Sequence, residues 1–460
     1  MPFPKGFIWG AAAAAYQVEG SAYRAGGGLS VWDMLARQPG RIYEGGHADV
    51  ACDHYNRYKE DVGLMKELGL HSYRLSISWP RVLPEGVGKV HAEGLAFYDR
   101  LVDELLKNGI EPAVTLFHWD GPLALFHRGG WLNRDSADWF AEYAEVVLRK
   151  LGDRVKIWLT MNEPNIFIVL GHGNTIHGPG INYGTRETLL CAHNVMRAHG
   201  RGVQVIRAHA RKDAQVGWAY AGAGFAEPET EADAPAARKA LEQNGDSNPL
   251  NVLISLAAWW NDPVFFGRYP VVPQFKDMME FVKPGDMETI CQPLDFFGTN
   301  LYNSVTYRAD ASNPVGLVPV KRPMGYPHTA FNWPVTPGVL YWAPKFYYER
   351  YKKPICVLEN GLSCADWVSL DGQVHDPNRI DFLNRYLLDY ERAANEGIPL
   401  MGYYQWSIMD NFEWAEAYKE RFGLIHVDYA TQKRTPKDSY HWYKKVIATN
   451  GTHLHAHDRK

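Results

Sequence analysis

The sequence predicts an α/β protein built as a single (β/α)8 barrel, a TIM barrel with long βα loops. Short β-branched or apolar runs alternate with amphipathic helical stretches along nearly the whole chain, and the runs number eight. Strand–helix alternation implies parallel pairing through crossover helices, and eight such units close on themselves. The chain has 460 residues, of which 46% are apolar, enough for a large core. Domains average about 150 residues, but barrels of this kind extend past about 400 as one unit.

The predicted strands are FIWGAAAAAY (7–16), HSYRLSIS (71–78), EPAVTLFH (111–118), VKIWLTMN (155–162), AQVGWAY (214–220), DFFGTNLY (295–302), PICVLEN (354–360) and PLMGYYQW (399–406). Between them, YNRYKEDVGLMKELGL, FYDRLVDELLKNGI and WFAEYAEVVLRKLGD repeat apolar residues at helical spacing. Gly69, Gly109 and Gly397 close helical stretches just before the next strand, where a left-handed residue ends a helix. Two excursions are expected at the surface. Residues 223–248 are acidic and alanine-rich, with some helix; residues 308–338, rich in Pro, Gly and aromatics, read as a long loop over one face. No repeat or composition break marks a second domain. Residues 1–446 are expected to form the barrel, and 447–460, with alternating His453, His455 and His457, a flexible tail.

Composition narrows the function. Net charge is 48 − 52 = −4 with no basic block, which argues against nucleic acid or an anionic membrane as partner. No run reaches the roughly 18 apolar residues that a membrane span requires. Lys5 and the alanine run outline a signal peptide, but one charge is a poor start and the apolar run is short. The reading is a soluble, cytoplasmic protein. Five scattered cysteines without a CxxC pair suggest neither a disulfide framework nor a zinc site, and no metal or cofactor is expected. The 16 Trp and 26 Tyr offer faces that stack on sugar rings, although most such rings in any protein fill the core.

In a (β/α)8 barrel, the active site forms at the C-terminal ends of the strands. Gln17 and Glu19 follow strand one, and His118, Trp119 and Asp120 end strand three. Asn162 and Glu163 end strand four, Asn300 and Tyr302 strand six, Glu359 and Asn360 strand seven, and Trp406 strand eight. Each taken singly has a plainer reading: a strand-end Glu as a rim charge, His118 as a satisfied core histidine, Trp406 as packing. Their coincidence on one face argues otherwise, with carboxylates after strands four and seven facing each other across the mouth.

These residues sit in blocks that resemble glycoside hydrolase family 1 from Pro4 to about Tyr443. FPKGFIWGAAAAAYQVEG is similar to the family's N-terminal signature, and YRLSISWPRVLPEG, LFHWDGPLALFHRGGW, LTMNEP, LENG and YYQWSIMDNFEWAEAY follow in its order. The resemblance implies a retaining β-glycosidase, a β-glucosidase first, acting on small β-glycosides or oligosaccharides such as cellobiose and also on β-galactosyl and β-fucosyl residues. Carried over residue by residue, it makes Glu163 the acid/base and Glu359 the nucleophile. It places Gln17, His118, Trp119, Asn162, Trp406, Glu413, Trp414 and Phe422 around the glycone. Arg74 and Tyr302 match residues that bond the nucleophile, with Asn300 beside them, and Trp333 matches the aglycone platform. Met161, Leu358, Gly121 and Pro334 depart from the family pattern, beside these groups rather than on them.

The chemistry agrees with those roles. Retention calls for carboxyls about 5–5.5 Å apart, so that one attacks the anomeric carbon directly. Two such charges repel, so one carboxyl holds a proton. Arg74 and Tyr302 would keep Glu359 ionised, which leaves the proton on Glu163. A carbohydrate-binding barrel without activity is the first alternative, but it would normally lack one carboxylate. A 6-phospho-β-glycosidase is the second, and it would need cations where Glu413 stands. A thioglucosidase would typically carry Gln in place of Glu163.

Overall fold

Eight parallel strands close into a barrel in a computed structural model that describes residues 3–243, 245–313 and 316–459. They are Ile8–Ala12, Ser72–Ser76, Glu111–Phe117, Ile157–Asn162, Gln215–Ala221, Phe297–Asn300, Ile355–Asn360 and Leu400–Trp406. Each neighbours its sequence successor, and the first pairs with the eighth, Ala12 beside Trp406. Every predicted run overlaps one strand, and only the fifth strand passes its run, by one residue at Ala221. The first run breaks early, after Ala12: Ala15–Val18 is a helical turn, which carries Gln17 to the rim.

The composition of the first strand follows from its place. Inside the barrel, Ile157, Leu159, Phe296, Cys356, Leu358 and Tyr404 fill the lumen together with the small Ala12, Ala113 and Ala219. A Cβ added at Gly10 would lie 2.3 Å from the Tyr404 ring, and one at Gly298 would lie 2.4 Å from Leu358 Cδ1. Large and small residues must alternate across a packed lumen, and the IWGAA run supplies the small ones. Outside, helices such as Ala92–Lys107 and Ser136–Leu151 bury their apolar stripes against the staves. Gly69, Gly109 and Gly397 take φ of 81°, 75° and 87°, as their helix-closing positions require.

Two expectations need correction. The excursions hold short strands as well as helix and loop. Ala226–Pro228 pairs in parallel with Val305–Ala309, which pairs antiparallel with Leu317–Pro319, so both excursions share one small sheet. Strands of three to five residues show no measurable alternation, and the first partner lies far off in sequence. Residues 450–455 are docked on the barrel rather than frayed. Asn450 Oδ1 accepts from the Trp9 indole N–H at 3.0 Å, and Asn450 Nδ2 donates to Phe3 O at 2.7 Å. Leu454 is 1% exposed, and His455 Nε2 lies 2.8 Å from Glu391 Oε2. The cause is the first strand: Trp9 is fully buried and its N–H needs an acceptor. No helix among the described residues is long and apolar enough to cross a membrane, and the five cysteines are free thiols.

Asn450→Ala leaves that indole N–H without a partner. The variant should lose about 1–3 kcal/mol in urea unfolding, where a frayed tail would give no change.

Candidate active site

The strand ends that carry the two central glutamates are irregular. Register shifts interrupt pairing between Leu159 and Asn162 in strand four and between Val357 and Glu359 in strand seven. Such irregularities re-aim side chains at barrel rims. Glu163 then sits at φ 48°, in the left-handed region that a Cβ disfavours, and Trp119 and Trp414 share that region at 78° and 48°. The peptide between Trp406 and Ser407 is cis. Asn360 braces the turn after Glu359: its Nδ2 donates to Leu301 O at 2.6 Å while Tyr403 Oη donates to its Oδ1 at 2.8 Å.

His118, Trp119, Glu163, Asn300, Tyr302, Trp333, Glu359, Trp406, Glu413, Trp414 and Phe422 line one cavity of about 440 Å³. Gln17, Arg74 and Asn162 stand one layer behind and bond to groups that line it. All the residues that the family resemblance carried over thus meet at one place. Glu19 does not: it is buried against Arg81 Nε at 2.9 Å and Tyr98 Oη at 3.0 Å. Asp120 is likewise buried outside the lining. Met161 and Leu358 are fully buried, and Arg74 reaches Leu358 through its backbone carbonyl rather than its side chain.

Arg74 organises the floor. Its Nη1 donates to Glu359 Oε1 at 2.6 Å and to Leu358 O at 3.2 Å, Nη2 to Asn162 Oδ1 at 2.6 Å, and Nε to Thr115 Oγ1 at 3.2 Å. Tyr302 Oη donates to Glu359 Oε2 at 2.8 Å. Glu163 Oε1 accepts only from Asn300 Nδ2, at 2.8 Å, and that same amide reaches Asn162 Oδ1 at 3.1 Å. Since Asn162 Oδ1 takes both Arg74 and Asn300, its Nδ2 must face His118 Nε2, 3.0 Å away. His118 Nε2 is therefore an acceptor, and the ring proton sits on Nδ1. Burial, with Arg74 nearby, holds His118 well below the usual range, so the ring stays neutral.

The carboxyls differ in environment. Burial and then the Glu359 charge push Glu163 up to about 8, against only a weak opposing pull from Asn300 and Arg74. Burial also raises Glu359, but Arg74, Tyr302 and Asn300 all favour its ionised form. Burial, followed by the charges of Glu359 and Glu420, raises Glu413 to about 8, although Gln17 Nε2 donates to it at 3.2 Å. Gln17 Nε2 also serves Asn411 Oδ1 and Phe412 O, at 3.0 and 2.9 Å, whereas the buried Gln17 Oε1 and Asn300 Oδ1 have no donor. Rings frame this part of the cavity. Trp406 and Trp414 stack on His118 with centroids 5.9 and 6.0 Å away, and Trp119 lies 4.6 Å from Trp414.

Sequence reasoning missed Ile166, Leu170, Ile176, His177, Asn303 and Phe331, which line the outer cavity. Ile166 and Leu170 carried a usable signal, an apolar pair at helical spacing directly after TMNEP.

The family model for glycosyl hydrolase family 1 matches residues 1–452. β-Glucosidase A of Thermotoga maritima is 43% identical over 452 residues, 98% of each chain. A bifunctional β-D-glucosidase/β-D-fucosidase of Bifidobacterium breve is 39% identical over 97% of this chain and 98% of its own. The solved β-glucosidase of Thermotoga maritima in complex with glucoimidazole superposes with a TM-score of 0.87, at 42% identity over 98% of this chain and 99% of that one.

Glu163 is protonated below about 8 and loses its proton above. Replacing Glu359 by Gln removes the neighbouring charge, so ionising Glu163 becomes easier. Carboxyl titration by infrared or NMR spectroscopy should place Glu163 in Glu359→Gln lower than in the wild type, yet still above an ordinary glutamic acid, because burial, the larger cause, persists.

Proposed function

Because the chain belongs to glycosyl hydrolase family 1, we propose that it is a retaining β-glycosidase that removes terminal non-reducing β-D-glucosyl residues from small glycosides, with Glu359 as nucleophile and Glu163 as acid/base. The observation that carries the assignment is the unequal surroundings of the two carboxyls. Glu359 is held by a guanidinium and a phenol, which suits an anion, while Glu163 meets only an amide and favours its proton.

In the first step Glu359 attacks the anomeric carbon while Glu163 gives its proton to the departing oxygen. A single amide, that of Asn300, interacts with both carboxyls, which supports the short spacing of a retaining enzyme over the water-filled gap of an inverting one. Once Glu359 is esterified its charge is gone, and the main electrostatic support for a protonated Glu163 goes with it. Glu163 then takes a proton from the incoming water, which releases the sugar. Asn162 has one N–H beyond the one on His118, and that proton is free for the sugar 2-hydroxyl, whose bond strengthens at the transition state. Gln17 Oε1, buried without a donor, suits a glycone hydroxyl. Trp406 and Trp414 supply apolar faces for the ring.

Gln17 and Glu413 accept from a hydroxyl in either orientation, so β-galactosyl and β-fucosyl residues are substrates as well. The dual activity in the name of the Bifidobacterium breve relative supports the fucosyl part. The barrel and the segment docked on it through Asn450 and Leu454 work as one catalytic unit in the cytoplasm, a compartment that suits five free thiols.

The two glutamates separate by stereochemistry. Glu359→Gly should lower turnover of an activated aryl β-glucoside by at least about 10⁴-fold, and azide should restore cleavage from the vacated side to give an α-azide. Glu163→Ala should still cleave a dinitrophenyl glucoside to the intermediate, which azide then intercepts to give a β-azide. The same anomer from both variants overturns the roles.

A second measurement tests the glycone. With Glu413 at the position that meets the 6-substituent, kcat/KM for an aryl β-glucoside should exceed that for its 6-phosphate by more than about 100-fold, since a phosphate dianion would lose its water beside a carboxyl that burial and the charges of Glu359 and Glu420 already keep protonated. Preference for the phosphate refutes the glycone assignment.

A further inference from the structure

Glu413, Trp414 and Phe422 reach the cavity from one loop, between the strands Leu400–Trp406 and Ile425–Val427. Its strand pairing is limited to single bridges at Met409 and Arg421. Side chains must hold the rest, and a wall displaced by about 1 Å can cost about 100-fold in rate.

Asp410 closes this loop on itself. Its Oδ1 accepts from Gly423 N at 3.0 Å and its Oδ2 from Arg421 Nη1 at 2.7 Å, so one carboxylate joins the outgoing limb to the returning one. The limbs touch: a Cβ added at Gly423 would lie 2.0 Å from the Asp410 nitrogen. The neighbouring Asn411 accepts from Gln17 Nε2, and that amide also reaches Glu413 Oε2.

Lys437, which precedes the helix Asp438–Ala448, supplies the charge that Asp410 needs. Its Nζ donates to Asp410 Oδ1 at 2.7 Å and to Asp366 Oδ2 at 2.6 Å, and both Lys437 and Asp410 are fully buried. Burial would raise the Asp410 carboxyl, but Lys437 and Arg421 hold it below its usual range. Asp366 lies in the loop after the strand that carries Glu359. Arg379 Nη2 donates to Asp366 Oδ2 and to Arg421 O, each at 2.7 Å, and its Nη1 pairs with Asp376. Three cations thus face three carboxylates, and the loss of one charge strands its partners. Many buried ion networks only hold a fold together. This one joins the two loops that flank the proposed glycone.

We infer that Lys437 is a positioning residue for glycone specificity: its ammonium, shared between Asp410 and Asp366, holds the loop that presents Glu413, Trp414 and Phe422 to the sugar. The inference rests on the glycone reading above, in which Glu413 meets the 6-hydroxyl.

Lys437→Met tests it, because Lys437 N still donates to Leu424 O at 3.0 Å and the backbone stays pinned. Steady-state kinetics compare 4-nitrophenyl β-glucoside with its 6-deoxy analogue, which lacks the hydroxyl that Glu413 would meet. The wild type should favour the glucoside by at least about tenfold in kcat/KM. In Lys437→Met that ratio should fall at least about fivefold. The fall should come through KM for the glucoside, with kcat on the 6-deoxy substrate within about threefold of the wild type.

The double variant Lys437→Met/Asp366→Asn separates position from stability. It removes one cation and one anion, so the melting temperature should return toward that of the wild type. The ratio should stay low, because Asp410 still lacks the ammonium. If the single variant does not fold, the double variant supplies the reading. An unchanged ratio in folded Lys437→Met, or a ratio that recovers with stability in the double variant, overturns the inference. A wild type without preference for the glucoside refutes instead the glycone reading beneath it, so the two failures are distinguishable.

Discussion

Arg74 is 1% exposed and has no solvent to share. Its guanidinium carries five donors in a rigid plane, and four are met by oxygens from strands three, four and seven: Thr115, Asn162, Leu358 and Glu359. A buried cation of this kind is tolerable only with a buried anion beside it, and Glu359, 4% exposed, is that anion. Removing either partner would strand the other's charge at a cost of about 3–5 kcal/mol. Arg74 therefore ties its own strand, the second, to three others from inside the lumen. It also sets the position of Asn162, and through Asn162 those of His118 and Asn300. The small residues of the first strand belong to the same constraint, because a barrel that admits a guanidinium to its lumen must clear space for it.

One guanidinium does not balance three carboxyls. Glu359 bonds Arg74 directly while Glu163 feels it only from a distance, so Glu163 and Glu413 reduce their own charge, and both hold protons to about 8. A cavity crowded with carboxyls thus sorts itself into one anion and two acids without a metal in the argument. Proximity to Arg74, rather than residue type, separates the roles of chemically identical side chains.

Much of this was legible in the sequence, for identifiable reasons. Strands buried on both faces read as apolar runs, their crossover helices keep a 3.6-residue period, and Gly69, Gly109 and Gly397 mark where helices stop. The rim residues were legible because strand ends place them on one face. What stayed hidden is non-local or local to the backbone. The Asn450–Trp9 bond spans 441 positions, and nothing near residue 450 announces a buried indole that needs an acceptor. The short sheet shared by the excursions has strands too brief for a period. The register shifts at Leu159 and Val357, and the left-handed turns at Trp119 and Trp414, occur at residues whose types predict neither. Ile166 and Leu170 went unread because the eye stops at the charged residue before them.

Glu163 occupies a backbone conformation that glycine enters freely and glutamate enters only under strain. The residue best suited to that turn is the one residue that has no side chain to offer. With Glu163 as the proposed acid/base, selection for a more robust fold and selection for turnover pull against each other at a single codon, and the local strain is maintained rather than repaired. Searches for hardier variants by consensus or by library should find this position among the few where the stabilising change is also the silencing one.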